Sequence, residues 1–306
     1  MKRDFLCLLD FTRTELEEII DLTARLKREL KAGRREPLLT GKSLAMIFEK
    51  PSLRTRVTFE VGMNQLGGLA VNLTHKDIQL GERESVADIA RNLDRWVDLI
   101  MARTYAHATL LDLASHARVP VINGLSDLLH PCQVLTDCFT IWEKRNRLDG
   151  LRIAFIGDGN NMANSWMNAA AVFGFELVVA CPQGYEPDAG TAAAARGAGA
   201  HVTITRDARE AAQDADVLYT DVWTSMGQEE EAAPRRRDFA AYQITADLLR
   251  RARSDAIVMH CLPAHRGEEI AAEVIDGPQS IVFDEAENRL HTQKAIMVWL
   301  MDRGVQ

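Results

Sequence analysis

The chain has 306 residues, 47% of them hydrophobic, enough to bury one large core or two ordinary ones, and two is the expectation at this length. Its formal net charge of −8 speaks against a nucleic-acid surface or a polybasic membrane anchor, but not against an anionic substrate, since a few converging arginines can sit inside an acidic protein. The five cysteines (Cys7, Cys132, Cys138, Cys181, Cys261) are odd in number, scattered and without a CxxC pair, so they read as reduced thiols of a cytoplasmic protein.

The opening MKRDFLCLLDFTRTELEE begins like a signal peptide, but Asp10 and Arg13 interrupt its apolar stretch too early. No later run approaches the length of a membrane helix. From there, short apolar runs alternate with helical patterns. Strands are expected at 43–49, 69–73, 98–102, 119–122, 151–157, 176–181, 201–204, 216–220, 256–260 and 281–283. Amphipathic stretches fall at 12–31, 53–66, 84–95, 107–116, 131–145, 161–173 and 288–302. Such alternation implies α/β architecture, with parallel sheets covered by helices on both faces. The polar run EKRNRLDG ends one long helical pattern and LRIAFIGDG opens a fresh strand, which puts a domain boundary near 148. Segment 224–237, TSMGQEEEAAPRRR, lacks apolar periodicity and reads as a mobile loop with a charge reversal.

Five motifs carry chemistry. KPSLRTR, residues 50–56, follows a buried-type strand and opens a helix, so backbone N–H groups near 53–55 would point outward beside Ser52, Arg54, Thr55 and Arg56. That is a phosphate site, or equally an ordinary capped helix with a basic face. His130-Pro131-Cys132-Gln133 starts another helix; His can donate to a carbonyl oxygen and Gln can accept from an amide, but a His cap with Pro in the first turn explains the same residues. Gly157-Asp158-Gly159-Asn160-Asn161 is half a dinucleotide fingerprint. Met162 replaces its third glycine and Glu176 starts the next strand instead of ending it, so Asn161 suits the polar end of an amino acid better than a nicotinamide cofactor. Asp221 lies just past a strand, where ligands of open α/β sheets bind and where a carboxylate would pair with an ammonium, or simply cap a turn. His260-Cys261-Leu262-Pro263 occupies another strand end. With His265 it lacks zinc spacing, and Cys261 is either a functional thiol or a buried strand-end residue.

The order of these motifs resembles the aspartate/ornithine carbamoyltransferase family, from about residue 5 to residue 303. Ser52-Leu53-Arg54-Thr55-Arg56 and His130-Pro131-Cys132-Gln133 match its two general signatures. Ser225-Met226-Gly227 and His260-Cys261-Leu262-Pro263 match its ornithine branch, because the aspartate branch usually has Pro where Cys261 stands. The resemblance implies two doubly wound parallel-sheet domains, 1–148 for carbamoyl phosphate and 149–287 for ornithine, with the C-terminal helix (288–306) returning to the first. By matching position, Ser52, the backbone of Leu53, Arg54 and Thr55 would meet the phosphate. Arg103 would bridge phosphate and carbonyl oxygen, and His130 would polarise the carbonyl. Gln133 and the Leu262 carbonyl would hold the carbamoyl amide, with Arg289 a further contact of that site. Asn161, Asp221, Ser225 and Met226 would take ornithine, with Asp221 and Cys261 near the reacting amine. Gln79 would reach a neighbouring subunit's site in a homotrimer. No metal or organic cofactor is implied. One departure is Leu53, where the family commonly has Thr; a backbone N–H survives that change and a hydroxyl does not. Rival readings are transfer to putrescine or an N-acylated ornithine, a nicotinamide dehydrogenase built on the GDG turn, and an inactive scaffold homologue.

Overall fold

The computed structural model describes residues 2–225, 227 and 229–304, so Met226 lies outside the described residues. The chain divides into two compact units, Met1–Phe139 with Glu287–Gln306, and Thr140–Ala286. The division falls inside a helix, Pro131–Arg145, and not in the polar run that follows it.

In the first unit β1 (Ser43–Phe48), β2 (Leu69–Thr74), β3 (Leu99–Arg103) and β4 (Val121–Leu125) form a parallel sheet in the order β2-β1-β3-β4. The inner strands β1 and β3 are almost wholly buried, as strands covered on both faces must be, whereas edge strand β2 alternates exposed and half-buried residues. Helix Arg13–Lys31 starts where the sequence says it should. Thr12 caps it, and the Glu15 carboxylate accepts in return from the Thr12 N–H. The terminal helix runs Val282–Gly304. Its later turns belong to the first unit: Trp299 donates to Glu18 at 2.9 Å, and Lys294 donates to Gln65 at 3.0 Å. The expected strand at 281–283 is absent, because Val282 and Phe283 form the first turn of this helix, followed by Asp284 and Glu285. Three apolar residues cannot by themselves tell a strand from a buried first helical turn.

That helix buries His291 among cations. Burial and the nearby Lys294, Lys27 and Lys31 push its pKa down to about 3. A histidine whose folded pKa lies below its unfolded value costs stability as pH falls from about 6.5 towards 3, by up to about 1.4 kcal/mol per pH unit. His291→Gln is therefore expected to lose less Tm than the wild type between pH 7 and 4.5. Parallel Tm curves for the two proteins would mean that His291 is protonated, or solvated, in the fold.

The second unit holds β5 (Arg152–Ile156), β6 (Glu176–Ala180), β7 (His201–Thr205), β8 (Val217–Thr220) and β9 (Ile257–His260), all parallel, in the order β7-β6-β5-β8-β9. Phe155 stacks on Tyr219 at 5.7 Å and Trp166 meets Tyr219 edge-on at 5.1 Å, which ties helix Asn161–Phe173 to the sheet. Helices Ala189–Gly197 and Ala208–Ala212 escape the periodicity reading because alanine gives little hydrophobic contrast. Segment 224–237 is not wholly a loop: a helix spans Ala232–Asp238 and buries Arg235. Among the described residues no helix is long and apolar enough to cross a membrane. No disulfide joins the five cysteines.

Candidate active site

In a sheet ordered β2-β1-β3-β4 the chain reverses direction of growth between β1 and β3, and open α/β sheets bind ligands at the carboxyl ends flanking such a point. Residues 49–52 leave β1 there, and Arg103 is the last residue of β3. Helix Leu53–Gln65 begins with Ser52 as its cap, the Ser52 hydroxyl accepting from the Thr55 N–H at 3.3 Å. The capped-helix reading of Ser52 is thus realised, and residues 53 and 54 form the first turn beyond the cap. The Leu53 side chain is 75% exposed. His130 precedes helix Pro131–Arg145, after β4.

Arg289, on the terminal helix, draws three of the predicted residues together. It donates to the Gln133 carbonyl oxygen and, at 2.9 Å, to the Thr55 hydroxyl. Since Thr55 accepts, its own O–H is available to donate. The Gln133 amide nitrogen in turn donates to buried Asp137 at 2.7 Å, which fixes the side-chain amide. Asp137 was not singled out from sequence, although it lies one helical turn beyond Gln133 on the same face. His130 is buried, and burial with the charges of Arg289, Arg103 and Arg54 holds its pKa well below the usual histidine range. It is therefore a neutral imidazole at physiological pH, a hydrogen-bond donor and not a cation.

Gln79 does not join this group. It is exposed, takes a left-handed conformation with φ 43°, and ends a short helix, His75–Ile78, its N–H bonded to the His75 carbonyl. Residues 75–85 are thus partly helical, with Asp77 accepting from Thr74 at the start.

The second unit repeats the logic. Its order β7-β6-β5-β8-β9 reverses between β5 and β8, and the GDGNN turn leaves β5 while Asp221 leaves β8. A Cβ at Gly159 would collide with the backbone of Glu186 and Pro187, so only glycine fits that close approach. Asn160 caps helix Asn161–Phe173 through its side-chain oxygen, and its amide donates to Asp221 at 2.8 Å. Asn161 is the first helical residue. The Cys261 thiol donates to the other Asp221 oxygen at 3.1 Å. Asp221, buried, and Cys261, half-buried, therefore form one pair from separate motifs that Asn160 completes. Ser225 follows, half-buried, beyond Trp223.

His260 stands behind Cys261. Its Nδ1 accepts from the Leu262 N–H at 2.9 Å, so the proton sits on Nε2 and points at Glu269, 3.0 Å away. Both residues are fully buried. This bond holds Leu262 at φ 58°, ahead of a cis bond to Pro263. Glu269 carries no sequence signal, because it lies nine positions beyond His260, across a loop. Asp221, His260 and Cys261 each offer a ligand atom within 4.8 Å of the others, a cluster that spacing alone does not reveal. Both His260 nitrogens are committed to hydrogen bonds, so a metal there would have to break one of them. His265 lies instead with Glu268 and Glu269.

Known proteins resemble the chain end to end. Its residues 3–143 match the carbamoyl-P binding domain of aspartate/ornithine carbamoyltransferases, and residues 149–300 match the Asp/Orn binding domain. It is 54% identical over 305 residues to the ornithine carbamoyltransferase of Methanoculleus marisnigri, an alignment covering 100% of this chain and 99% of that protein. Identity to the ornithine carbamoyltransferase of Thermococcus kodakarensis is 53% over 303 residues, covering 98% of this chain and 96% of the other. Among solved structures, the ornithine carbamoyltransferase of Pyrococcus furiosus superposes with a TM-score of 0.95 at 51% identity, covering 98% of this chain and 97% of that one. The anabolic ornithine carbamoyltransferase of Campylobacter jejuni gives 0.93 at 41% identity, with 99% and 100% covered. On this evidence the chain belongs to the aspartate/ornithine carbamoyltransferase family.

Proposed function

We propose that this enzyme transfers the carbamoyl group of carbamoyl phosphate to the side-chain amine of ornithine, giving citrulline and phosphate, a step of arginine metabolism. The observation that carries the choice of acceptor is the Asp221–Cys261 pair at 3.1 Å, an anion with a thiol where the aspartate branch usually has proline. A carboxylate suits the side-chain ammonium of ornithine and repels the side-chain carboxylate of aspartate.

In this reading the first-turn backbone at Leu53, Arg54 and Thr55, the Ser52 hydroxyl and the Arg54 guanidinium face phosphate. Arg103, neutral His130 and the Thr55 O–H donate to the carbonyl oxygen, which gains charge when the amine attacks. The second lone pair of the Gln133 carbonyl and the Leu262 carbonyl accept from the carbamoyl NH2, and Arg289 fixes Gln133. Ornithine is held by Asn161, Ser225, Met226 and Asp221. Its amine must shed a proton to attack, and burial beside Asp221 and Cys261 orients the neutral form. The new C–N bond forms, the C–O bond to phosphate breaks, and one of the amine's two protons leaves with phosphate while the other stays on the new amide nitrogen. Positioning two bound reactants supplies most of the rate gain. None of these steps calls for a metal or an organic cofactor.

A citrulline assay with carbamoyl phosphate against ornithine, putrescine, N-acetylornithine and aspartate tests the assignment. The highest kcat/KM is expected for ornithine. A higher value for putrescine or acetylornithine moves the protein to a sister activity.

We further propose a homotrimer that shares sites through Gln79, and a cytoplasmic location, which the absence of disulfides among the five cysteines supports. Supporting subunit contact is an apolar stripe left at the surface. Leu53, Val57 and Val61 lie on one face of helix Leu53–Gln65, which packs on β2, and Leu69 and Val71 are exposed on that edge strand.

A further inference from the structure

Segment 224–237 looks, in sequence, like a tether without a reason for its charges. The structure supplies one. Arg235 is buried, and its Nη1 donates at 2.9 Å both to Asp158 and to the Trp223 carbonyl. Its Nε donates to Glu231 at 2.9 Å, and the guanidinium lies 5.0 Å from the centre of the Tyr185 ring. One side chain therefore closes the loop from Trp223 to Arg235 and fastens both ends to the GDGNN turn. That loop carries Ser225, and the same turn carries Asn160, which bonds Asp221.

Other contacts of helix Ala232–Asp238 are more exposed. Arg236 pairs with Glu268 at 2.8 Å and Asp238 accepts from Tyr185 at 2.8 Å, both open to water. Exposed pairs of this kind are screened and exchange readily with solvent. The Arg235–Asp158 pair, with side chains 7% and 10% exposed, is not. Removing one partner of a buried pair leaves the other charge stranded, so the segment cannot stay docked without it.

We propose that Arg235 is a positioning residue for the amino-acid half-site, holding the Ser225 segment against the Gly157–Asn161 turn and so setting the affinity for the acceptor and not the rate of transfer. The proposal rests on the reading of that half-site as the place of ornithine. It also makes acceptor binding sensitive to acid. Burial raises the Asp158 pKa to about 6 against the pull of Arg235, and the negative charges of Asp221 and Glu231 add to the rise. Cys181 also faces Asp158, with its thiol pushed up to about 11, and so stays neutral at neutral pH. Asp158 takes up a proton as pH falls through about 6, and the still-charged Arg235 then loses its anionic partner.

The test uses the full-length enzyme with Arg235→Gln, Arg235→Lys and Asp158→Asn. Arg235→Gln should raise the ornithine KM at least about tenfold, the usual scale for a lost charge-assisted contact, with kcat within about twofold and the carbamoyl phosphate KM unchanged. Hydrogen exchange across 224–238 should accelerate. Arg235→Lys should recover part of both losses. In the wild type the ornithine KM should climb more steeply below about pH 6, and Asp158→Asn should abolish that extra steepness. If Arg235→Gln does not fold, the isosteric Asp158→Asn carries the same KM and exchange expectations. Unchanged exchange with unchanged ornithine KM, or equal loss for both substrates, overturns the proposal. A wild type that fails to carbamoylate ornithine, while Arg235→Gln still loosens the segment, overturns the substrate reading and leaves the positioning role standing.

Discussion

Asp221→Asn is expected to lower kcat/KM for ornithine by about a hundredfold, while the KM for carbamoyl phosphate stays near the wild-type value. Asp221 is buried and receives three hydrogen bonds, from Asn160, Cys261 and the Val222 N–H. Asparagine keeps the shape and loses the charge. A charge-assisted hydrogen bond contributes about 1.5–3 kcal/mol, which is about ten- to more than a hundredfold in rate. The upper end applies because the new amide also presents an NH2 where an acceptor is needed, facing either the Asn160 amide or the substrate amine. Steady-state kinetics on a variant with wild-type circular dichroism decides the matter. A loss below threefold would mean that Asp221 serves the turn after β8 and not the amine.

A second large effect concerns the proposed sharing of sites between subunits. Arg54→Ala removes the proposed phosphate contact and should cost at least about tenfold in kcat/KM for carbamoyl phosphate. Gln79→Glu should act in a different way, because the position is exposed and in the proposed trimer its charge would repel a phosphate that it reaches across an interface. Mixing the two inactive proteins by unfolding and refolding should restore activity. In a cyclic trimer about a quarter of sites pair an intact Arg54 with an intact Gln79 from the next subunit. Hybrids verified by mass that stay as inactive as their parents would show each site to be built within one chain.

Much of this protein was legible in its sequence, for local reasons. Apolar runs of strand length separated by amphipathic helices imply two parallel sheets. Each capping residue, Thr12, Ser52 and Asn160, acts within three residues of its own position, so sequence distance equals physical distance there. Strand ends place Arg103, Asp221 and His260 on the ligand side of their sheets, because every parallel strand of a sheet ends on the same side. Where the reading failed, the deciding contact was distant in sequence or depended on burial. Residues 281–283 became a helical turn, since three apolar residues carry no period. The charge reversal of 224–237 looked like a solvated loop until Arg235 found Asp158, 77 positions earlier. Arg289 reaches Thr55 across 234 positions, and Glu269 reaches His260 only because a loop folds back over it. The neutrality of His130 was likewise invisible in sequence: burial lowers its pKa first, and Arg289, Arg103 and Arg54, which add to the fall, converge only when the terminal helix, β3 and β1 are in place. By itself, then, the sequence determined the elements, the caps and the identity of the polar side chains at the strand ends. The tertiary structure decided which of those side chains meet and which are charged when they do, because burial and proximity set proton affinity and hydrogen-bond partners, and neither is a property of the chain's order.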